Sequence, residues 1–216
     1  MSGLNQRIDV LCSDQQHPIQ ARLRTWCEQQ DARLCGQVDE LLGGDFLFLV
    51  SCQSIVSTQL RARYRYCLVV HASDLPTGRG MSPQVWQVIS GAKHITVTLL
   101  NADDPVDSGD IWQQRGFELQ GHELYDEINA KLFDAEFELL DWALEHCVHS
   151  QPRIQQGEPT YYPRRCREDS RINPEESIAS QFDLLRVADT ERYPAFFDLR
   201  GYRYEVVLKK VGKAYE

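Results

Sequence analysis

The chain lacks the features that mark membrane, secreted and nucleic-acid-binding proteins. No apolar run in the sequence reaches the ~20 residues that a membrane-spanning helix needs, and the polar start at residues 1–6 has no signal-peptide pattern. Positive charge is scarce, since 23 Lys and Arg face 32 Asp and Glu, for a formal net charge of −9. Binding to nucleic acid normally requires a surplus of cations. We therefore expect a cytoplasmic globular protein with neither nucleic acid nor membrane as a partner.

Closely spaced cysteine ligands are also missing. The seven cysteines are odd in number, and none stands in a Cys-x-x-Cys or similar metal spacing. Five of them lie in or beside apolar stretches, at positions 12, 27, 35, 52 and 67. Because a free thiol behaves as a small hydrophobic side chain, this pattern favours buried cysteines in a reducing compartment and predicts no metal site.

What is present is a regular alternation of short apolar runs and amphipathic stretches. Residues 8–12, 33–35, 46–50, 67–70 and 95–100, and a run that starts at residue 111, predict strands. Helices are predicted between them at residues 19–30, 57–63 and 83–89, the last with Pro83 at its first position. Such an order is typical of an α/β protein. We expect a Rossmann-like, mostly parallel sheet with helices on both faces.

The second half of the chain predicts a different organisation. Apolar residues at helical spacing indicate one long helix over residues 121–147, followed by a linker-like stretch rich in proline at residues 150–167. A short helix at residues 177–185 and two strands at 195–199 and 202–208 complete the predicted tail. We therefore divide the chain into a Rossmann-like core, residues 1–118, and a long helix with a small C-terminal α+β subregion, residues 119–216.

Two ionisable side chains stand where predicted strands meet loops of small residues. His71 ends the apolar run at residues 67–70, and Asp107 lies in an acidic turn about thirty residues later. A single histidine or an acidic turn is usually structural. Together, an imidazole and a carboxylate at strand ends can move a proton, so the two residues are candidates for general acid–base chemistry.

These segments resemble the family of formyltransferases that use 10-formyltetrahydrofolate. His71 stands at the family histidine, Gly80 at the glycine that follows, and Trp86 in the next helix. The intervening loop and the aspartate loop match at Ser73-Asp74-Leu75-Pro76 and at Val106-Asp107-Ser108-Gly109-Asp110. Further along, residues 158–165, 168–172, 184–186 and 193–197 look like the tail of bacterial sugar N-formyltransferases.

The resemblance implies a function and a set of site residues. The function is N-formylation of an amino sugar, nucleotide-linked and used in surface polysaccharide synthesis, with 10-formyltetrahydrofolate as co-substrate and a homodimer as a possible assembly. His71 and Asp107 would be catalytic. Residues expected to bind the folate are Ser73, Leu75, Pro76, Gly80, Val106 and Asp107. Residues expected to bind the acceptor are Arg79, Trp86, Arg186 and Tyr193.

One position departs from the family pattern. Val69 stands two residues before His71, where the family has an asparagine whose amide helps to hold the formyl oxygen as it becomes an oxyanion. Valine has no hydrogen-bond donor, and loss of one such donor typically lowers the rate ~10²–10³-fold. Gln53, which follows the predicted strand at residues 46–50, is a candidate substitute and is counted with the catalytic residues. Backbone amides near His71 and Asp107 are others.

Two alternatives stay open. An enzyme similar to glycinamide ribonucleotide transformylase would use the same scaffold and a similar chain length. A folate- or sugar-binding homologue impaired in catalysis would follow if nothing replaces the amide missing at Val69.

Overall fold

The computed structural model describes residues 6–214 and is built around a six-stranded sheet. The first seven strands in the chain are β1 (Ile8–Leu11), β2 (Arg33–Cys35), β3 (Gly44–Leu49), β4 (Tyr64–His71), β5 (Arg79–Gly80), β6 (His94–Asn101) and β7 (Ile111–Glu118). The sheet order is β2-β1-β3-β4-β6-β7. The pairings from β2 to β4 are parallel, whereas β6 and β7 add antiparallel strands.

Helices cover the sheet because the central strands are apolar on both faces. The helices are α1 (Gln20–Gln29), α2 (Thr58–Arg61), α3 (Pro83–Ile89), α4 (Tyr125–His146) and α5 (Phe182–Arg186). Leu23 and Trp26 of α1 and Leu139 of α4 join one core with inward residues of β1, β3, β4 and β6. A second core on the opposite face packs against a 3₁₀ turn (Val38–Glu40) and α2. The predicted fold class is confirmed.

The C-terminal part contains three further strands, β8 (Tyr161–Tyr162), β9 (Ala195–Leu199) and β10 (Tyr202–Val206). β9 and β10 form an antiparallel hairpin, as predicted, and its turn residues Arg200 and Gly201 have φ of +52° and +84°. Positive φ at both turn positions matches the twist of the flanking strands. Residues 150–167 are irregular but are not a spacer, because β8 pairs with β5 and Arg153 bridges to Ile111.

Two helices begin later than the sequence pattern predicts. α4 begins at Tyr125 rather than at residue 121, because the Glu123 carboxylate accepts the amides of Gln120 and Gly121 and holds them in a turn. α5 begins at Phe182, since residues 177–181 form turns bonded through the Ser177 hydroxyl. Within residues 6–214 no helix is both long and apolar enough to cross a membrane. Most of the polar start considered above, residues 1–5, lies outside the described residues.

Candidate active site

His71 is held at the end of β4 by the backbone of the loop that follows. Its ring is buried, at 7% exposure, and Nε2 lies 2.8 Å from the carbonyl oxygen of Gly78. Since a carbonyl can only accept, Nε2 carries the proton of this hydrogen bond. In the neutral ring, Nδ1 therefore holds a lone pair.

Asp107 faces that lone pair from the turn between β6 and β7. The residue has a φ of +59°, and its Oδ2 accepts the backbone amide of Gly80 at 3.0 Å. Its Oδ1 lies 3.7 Å from His71 Nδ1, too far for a direct hydrogen bond. Two buried hydrogen-bond acceptors thus face each other, an arrangement that suits a group carrying N–H protons.

Two glycines make this geometry possible. Gly78 and Gly80 have φ of +76° and +103°, and a Cβ at Gly80 would lie 2.3 Å from the carbonyl oxygen of Tyr162. Any side chain at Gly80 would push the β5 strand away from β8. The loop that supplies both anchoring groups therefore depends on close approach of the 150–167 segment.

Gln155 fixes the Asp107 loop from the opposite side. Its Nε2 donates to the carbonyl oxygens of Asp107, at 2.9 Å, and Gly109, at 2.8 Å. Its Oε1 accepts the Arg79 guanidinium at 2.7 Å. Sequence reasoning missed this residue because it lies in a stretch that looked like a linker, and no local pattern marks it.

A cavity of about 390 Å³ opens beside His71 and Asp107. Val69, Gln53 and the exposed apolar side chains of Ile55 and Val106 contribute to its lining. The Gln53 backbone amide donates to Ser13 Oγ at 2.7 Å, which fixes the main chain of this loop. Gln53 thus lines the same cavity as His71. Its role as the hydrogen-bond donor to the formyl oxygen, in place of the amide missing at Val69, stays a prediction.

The residues predicted to bind the folate divide into two groups. Gly80, Val106 and Asp107 line the cavity. Ser73, Leu75 and Pro76 are buried and do not line it, since Leu75 packs against Leu100 and Ile111. These three residues pack within the loop, and their role in binding the folate stays a prediction.

The residues predicted to bind the acceptor are also dispersed. Arg79 is bonded to Gln155, the Trp86 indole donates to the Pro163 carbonyl at 3.1 Å, and neither side chain lines the cavity. Arg186 is 2% exposed and paired with Asp183 at 2.6 Å, which makes it part of the internal packing. Of the four, Tyr193 alone lines the cavity.

Tyr193 belongs to a polar wall formed by the C-terminal region. The guanidinium groups of Arg165 and Arg192 lie 4.9 and 5.9 Å from its ring centroid, and all three residues line the cavity together with exposed Arg164. Arg192 is paired with Asp14 from the loop after β1. This wall therefore joins cationic groups to an aromatic ring, as recognition of a phosphorylated ligand would require.

Helix α4 forms the remaining wall. Buried Glu136 lines the cavity, and burial raises the pKa of its carboxyl to about 8. Nearby His17 also lines the cavity; burial, assisted by the positive charge of Arg192, lowers its pKa to about 4. The desolvated environment therefore keeps both side chains neutral at pH 7.

Comparisons with known proteins agree with this geometry. Residues 8–144 match the formyl transferase family. The methionyl-tRNA formyltransferase of Thermodesulfovibrio yellowstonii is 28% identical over 174 residues, 79% of this chain and 56% of that protein. The protein from Rickettsia bellii with the same name is 27% identical over 83% of this chain and 58% of its own length. The chain thus spans somewhat more than half the length of these curated relatives.

Solved structures share the fold over nearly the whole chain. A methionyl-tRNA formyltransferase from Clostridium thermocellum gives a TM-score of 0.77 at 24% identity and covers 96% of this chain and 95% of its own. A 4-N formyltransferase from Francisella tularensis gives 0.70 at 19% identity and covers 97% and 100%. HypX from Aquifex aeolicus gives 0.80 at 20% identity, with 97% of this chain and 41% of that chain covered.

Proposed function

Because the chain belongs to the formyl transferase family, we propose that it transfers a formyl group from 10-formyltetrahydrofolate to the amine of a nucleotide-linked amino sugar. The observation that carries this proposal is the buried pair of acceptors, His71 Nδ1 and Asp107 Oδ1, on the edge of a cavity. A reacting amine has N–H protons to donate to both, and its nitrogen, which becomes positively charged when it attacks the formyl carbon, must then lose one.

The cavity edge fits a folate. Ile55 and Val106 line it while remaining 75% and 57% exposed, and Val69 is half-buried beside them. Apolar side chains left open to solvent on a concave surface favour a flat aromatic ligand. When bound there, the folate supplies an activated formyl group.

The residues of the chain supply position and proton transfer. His71 keeps Nε2 bonded to Gly78, so Nδ1 is the nitrogen that takes a proton from the acceptor amine. As the amine nitrogen bonds to the formyl carbon, the bond from that carbon to the folate nitrogen breaks, and the proton passes by way of Asp107 to the departing nitrogen. Asp107 stabilises the resulting imidazolium from 3.7 Å, and its own orientation is fixed by the Gly80 amide. Gln53 is the proposed donor to the formyl oxygen, in place of the amide that Val69 lacks.

The chemistry of the acceptor is inferred from the cavity wall that the C-terminal region forms. Arg164, Arg165 and Arg192 offer cations for a diphosphate, and Tyr193 offers a ring for a base. A transfer RNA is disfavoured by the formal net charge of −9. Solved structures that match nearly the whole chain include a 4-N formyltransferase, a sugar N-formyltransferase from Shewanella and a methionyl-tRNA formyltransferase. They support the fold, and the choice of a sugar acceptor rests on the arginines and Tyr193 of this wall.

The test is incubation with 10-formyltetrahydrofolate and a panel of acceptors, read by the mass gained on formylation. The panel contains UDP- and dTDP-linked amino hexoses, glycinamide ribonucleotide and methionyl-tRNA. We expect transfer to at least one amino sugar. Transfer to glycinamide ribonucleotide or methionyl-tRNA alone would refute the sugar assignment, whereas binding without transfer to any acceptor would favour an impaired homologue.

We also propose where the reaction takes place and in which assembly. All seven cysteines are free, and four of them are buried, which suits the reducing cytoplasm where a surface polysaccharide precursor would be modified. Homodimer formation stays a prediction that light scattering decides.

A further inference from the structure

One face of α4 forms a wall of the cavity that the proposed chemistry does not use. Tyr125, Asn129, Leu132 and Glu136 line the cavity at spacings of four, three and four residues. This spacing places their side chains on a single helix face. The wall is therefore a continuous strip that a bound acceptor would touch.

Glu136 differs from the other polar groups of this region because no hydrogen bond from residues 6–214 holds its carboxyl. Arg61 and Arg165 also have a buried Nε without a partner, but each is bonded through a terminal nitrogen. Glu136 itself is 6% exposed, and its buried Oε2 has no hydrogen-bond partner in the part of the chain that the structure describes. By contrast, the Tyr125 hydroxyl donates to Asp189 at 2.8 Å, and Arg192 pairs with Asp14. A buried carboxyl is almost always hydrogen-bonded. The Glu136 side chain lines the cavity and has no hydrogen bond to a described residue, which indicates a partner that the ligand supplies.

The surroundings define the chemistry of that partner. Burial keeps the Glu136 carboxyl protonated at neutral pH, because its pKa is raised to about 8. A protonated carboxyl can both donate and accept a hydrogen bond, as can a hydroxyl group. The phosphates of the proposed acceptor would bind Arg164, Arg165 and Arg192, and its reacting amine is required at His71. A hydroxyl of the sugar is the remaining polar group that could bind Glu136.

We propose that Glu136 is a specificity-determining residue that hydrogen-bonds a hydroxyl group on the sugar of the acceptor. The inference rests on the proposed function, because it takes the cavity to hold an amino sugar. The consequence is a substrate preference: acceptors with a sugar hydroxyl beside Glu136 are preferred over the deoxy sugars that lack it. The folate and the transferred formyl group do not contact Glu136.

The test compares Glu136→Leu and Glu136→Gln with the wild-type protein. The acceptors are pairs of UDP- or dTDP-linked amino hexoses that differ by one hydroxyl. Glu136→Leu should raise KM for the hydroxylated member about tenfold or more, with kcat little changed, and should remove the preference over the deoxy member. Glu136→Gln, which keeps a donor and an acceptor, should retain most of that preference. Glu138→Leu is the control, because Glu138 is exposed on the same helix and paired with Arg115.

A second measurement guards against misfolding. Because the substitution removes an unpartnered buried carboxyl, Glu136→Leu should unfold at the same or a higher temperature than the wild type when no ligand is bound. The KM for 10-formyltetrahydrofolate should not change in either variant.

The outcomes separate this inference from the proposed function. If the wild type formylates an amino sugar and Glu136→Leu keeps its KM and its hydroxyl preference, the role of Glu136 is overturned and the proposed function stands. If no amino sugar is formylated, calorimetric binding of the same acceptors decides. Weaker binding by Glu136→Leu then supports the hydroxyl contact, and equal or absent binding overturns it.

Discussion

The two ends of the cavity differ in how their ionisable groups are held. At the strand end, His71 Nε2 and Asp107 Oδ2 are each bonded to backbone, one to a carbonyl and the other to an amide of the same loop. At the α4 end, Glu136 is just as deeply buried and has an oxygen with no partner. The orientation of His71 and Asp107 is therefore fixed before any ligand binds, although Nδ1 and Oδ1 still lack an N–H donor among residues 6–214. The Glu136 carboxyl is not held by a hydrogen bond of this kind from any described residue.

The difference separates chemistry from recognition. Groups anchored by backbone cannot rotate away, so their orientation costs nothing when the substrate arrives. A carboxyl left without a partner destabilises the free protein and gains a partner on binding, which favours ligands that can hydrogen-bond to it. We expect enzymes with different acceptors to share an arrangement like that of His71 and Asp107. We expect them to differ at the position of Glu136, where the acceptor is selected.

The largest expected effect follows from breaking the strand end. His71→Ala and Asp107→Ala should each lower kcat at least ~10²-fold, because each removes part of one proton path. The double variant should lose much less than the product of the two losses. Steady-state formylation of the best amino-sugar acceptor measures all three.

His94→Ala is the matched control for these variants. His94 is exposed and paired with Glu118 on the sheet surface, so its loss should leave turnover unchanged. Near-normal activity of His71→Ala would remove that residue from the mechanism, and strictly multiplicative losses would refute the shared path.

A second large effect concerns the oxyanion donor. If Gln53 replaces the amide that Val69 lacks, Gln53→Ala should lower kcat by ~10²-fold or more, and adding Val69→Asn should restore part of it. Turnover must be compared at equal folded fraction, since an asparagine without partners at Val69 costs about 1–3 kcal/mol of stability. Full activity of Gln53→Ala would transfer the role to backbone amides. Gln59→Ala, on exposed α2, is the control.

Gln155 offers a smaller effect on the same end of the cavity. Gln155→Ala removes both hydrogen bonds to the carbonyls of the Asp107 loop. Small displacement of a catalytic group lowers kcat on the order of ten- to a hundredfold, and KM for the acceptor should change little. Gln155→Glu keeps an acceptor for Arg79 but lacks the donors, so it should not restore activity. Exposed Gln156→Ala should match the wild type, and an equal loss in it would refute the specific role of Gln155.

The sequence predicts the fold well because the fold rests on local patterns. The apolar run at residues 46–50 predicts β3, and the helical spacing of apolar residues over 121–147 predicts α4. The structure has both elements within a few residues of the predicted bounds. The predicted start of α4 at residue 121 is wrong because the Glu123 carboxylate accepts two backbone amides, an interaction that leaves no mark in the hydrophobic periodicity.

The candidate site was predictable only where a motif encodes it. His71 and Asp107 lie in motifs and meet as expected. Gln155 bonds a loop that is distant in sequence, and Glu136 lines a cavity built from distant segments. Neither residue has a local sequence signature. Arg186 shows the opposite error, because a cation favoured for its charge is buried against Asp183 and away from the cavity.

The smallest effect is a change in the pH dependence of stability. The folded-state pKa of Glu136, about 8, lies above its ordinary value of 4.5. Between these values the folded state holds a proton that the unfolded chain has released, so stability falls as pH rises. Glu136→Gln removes this loss. The free energy of unfolding in urea of Glu136→Gln should therefore increasingly exceed that of the wild type from pH 6.5 to 8.5, by on the order of 1–3 kcal/mol.

The histidine on the same cavity does not interfere with this measurement. The lowered pKa of His17, about 4, costs stability only below pH 6.5. Parallel curves for Glu136→Gln and the wild type would show that folding does not raise the pKa of Glu136 into the measured pH range.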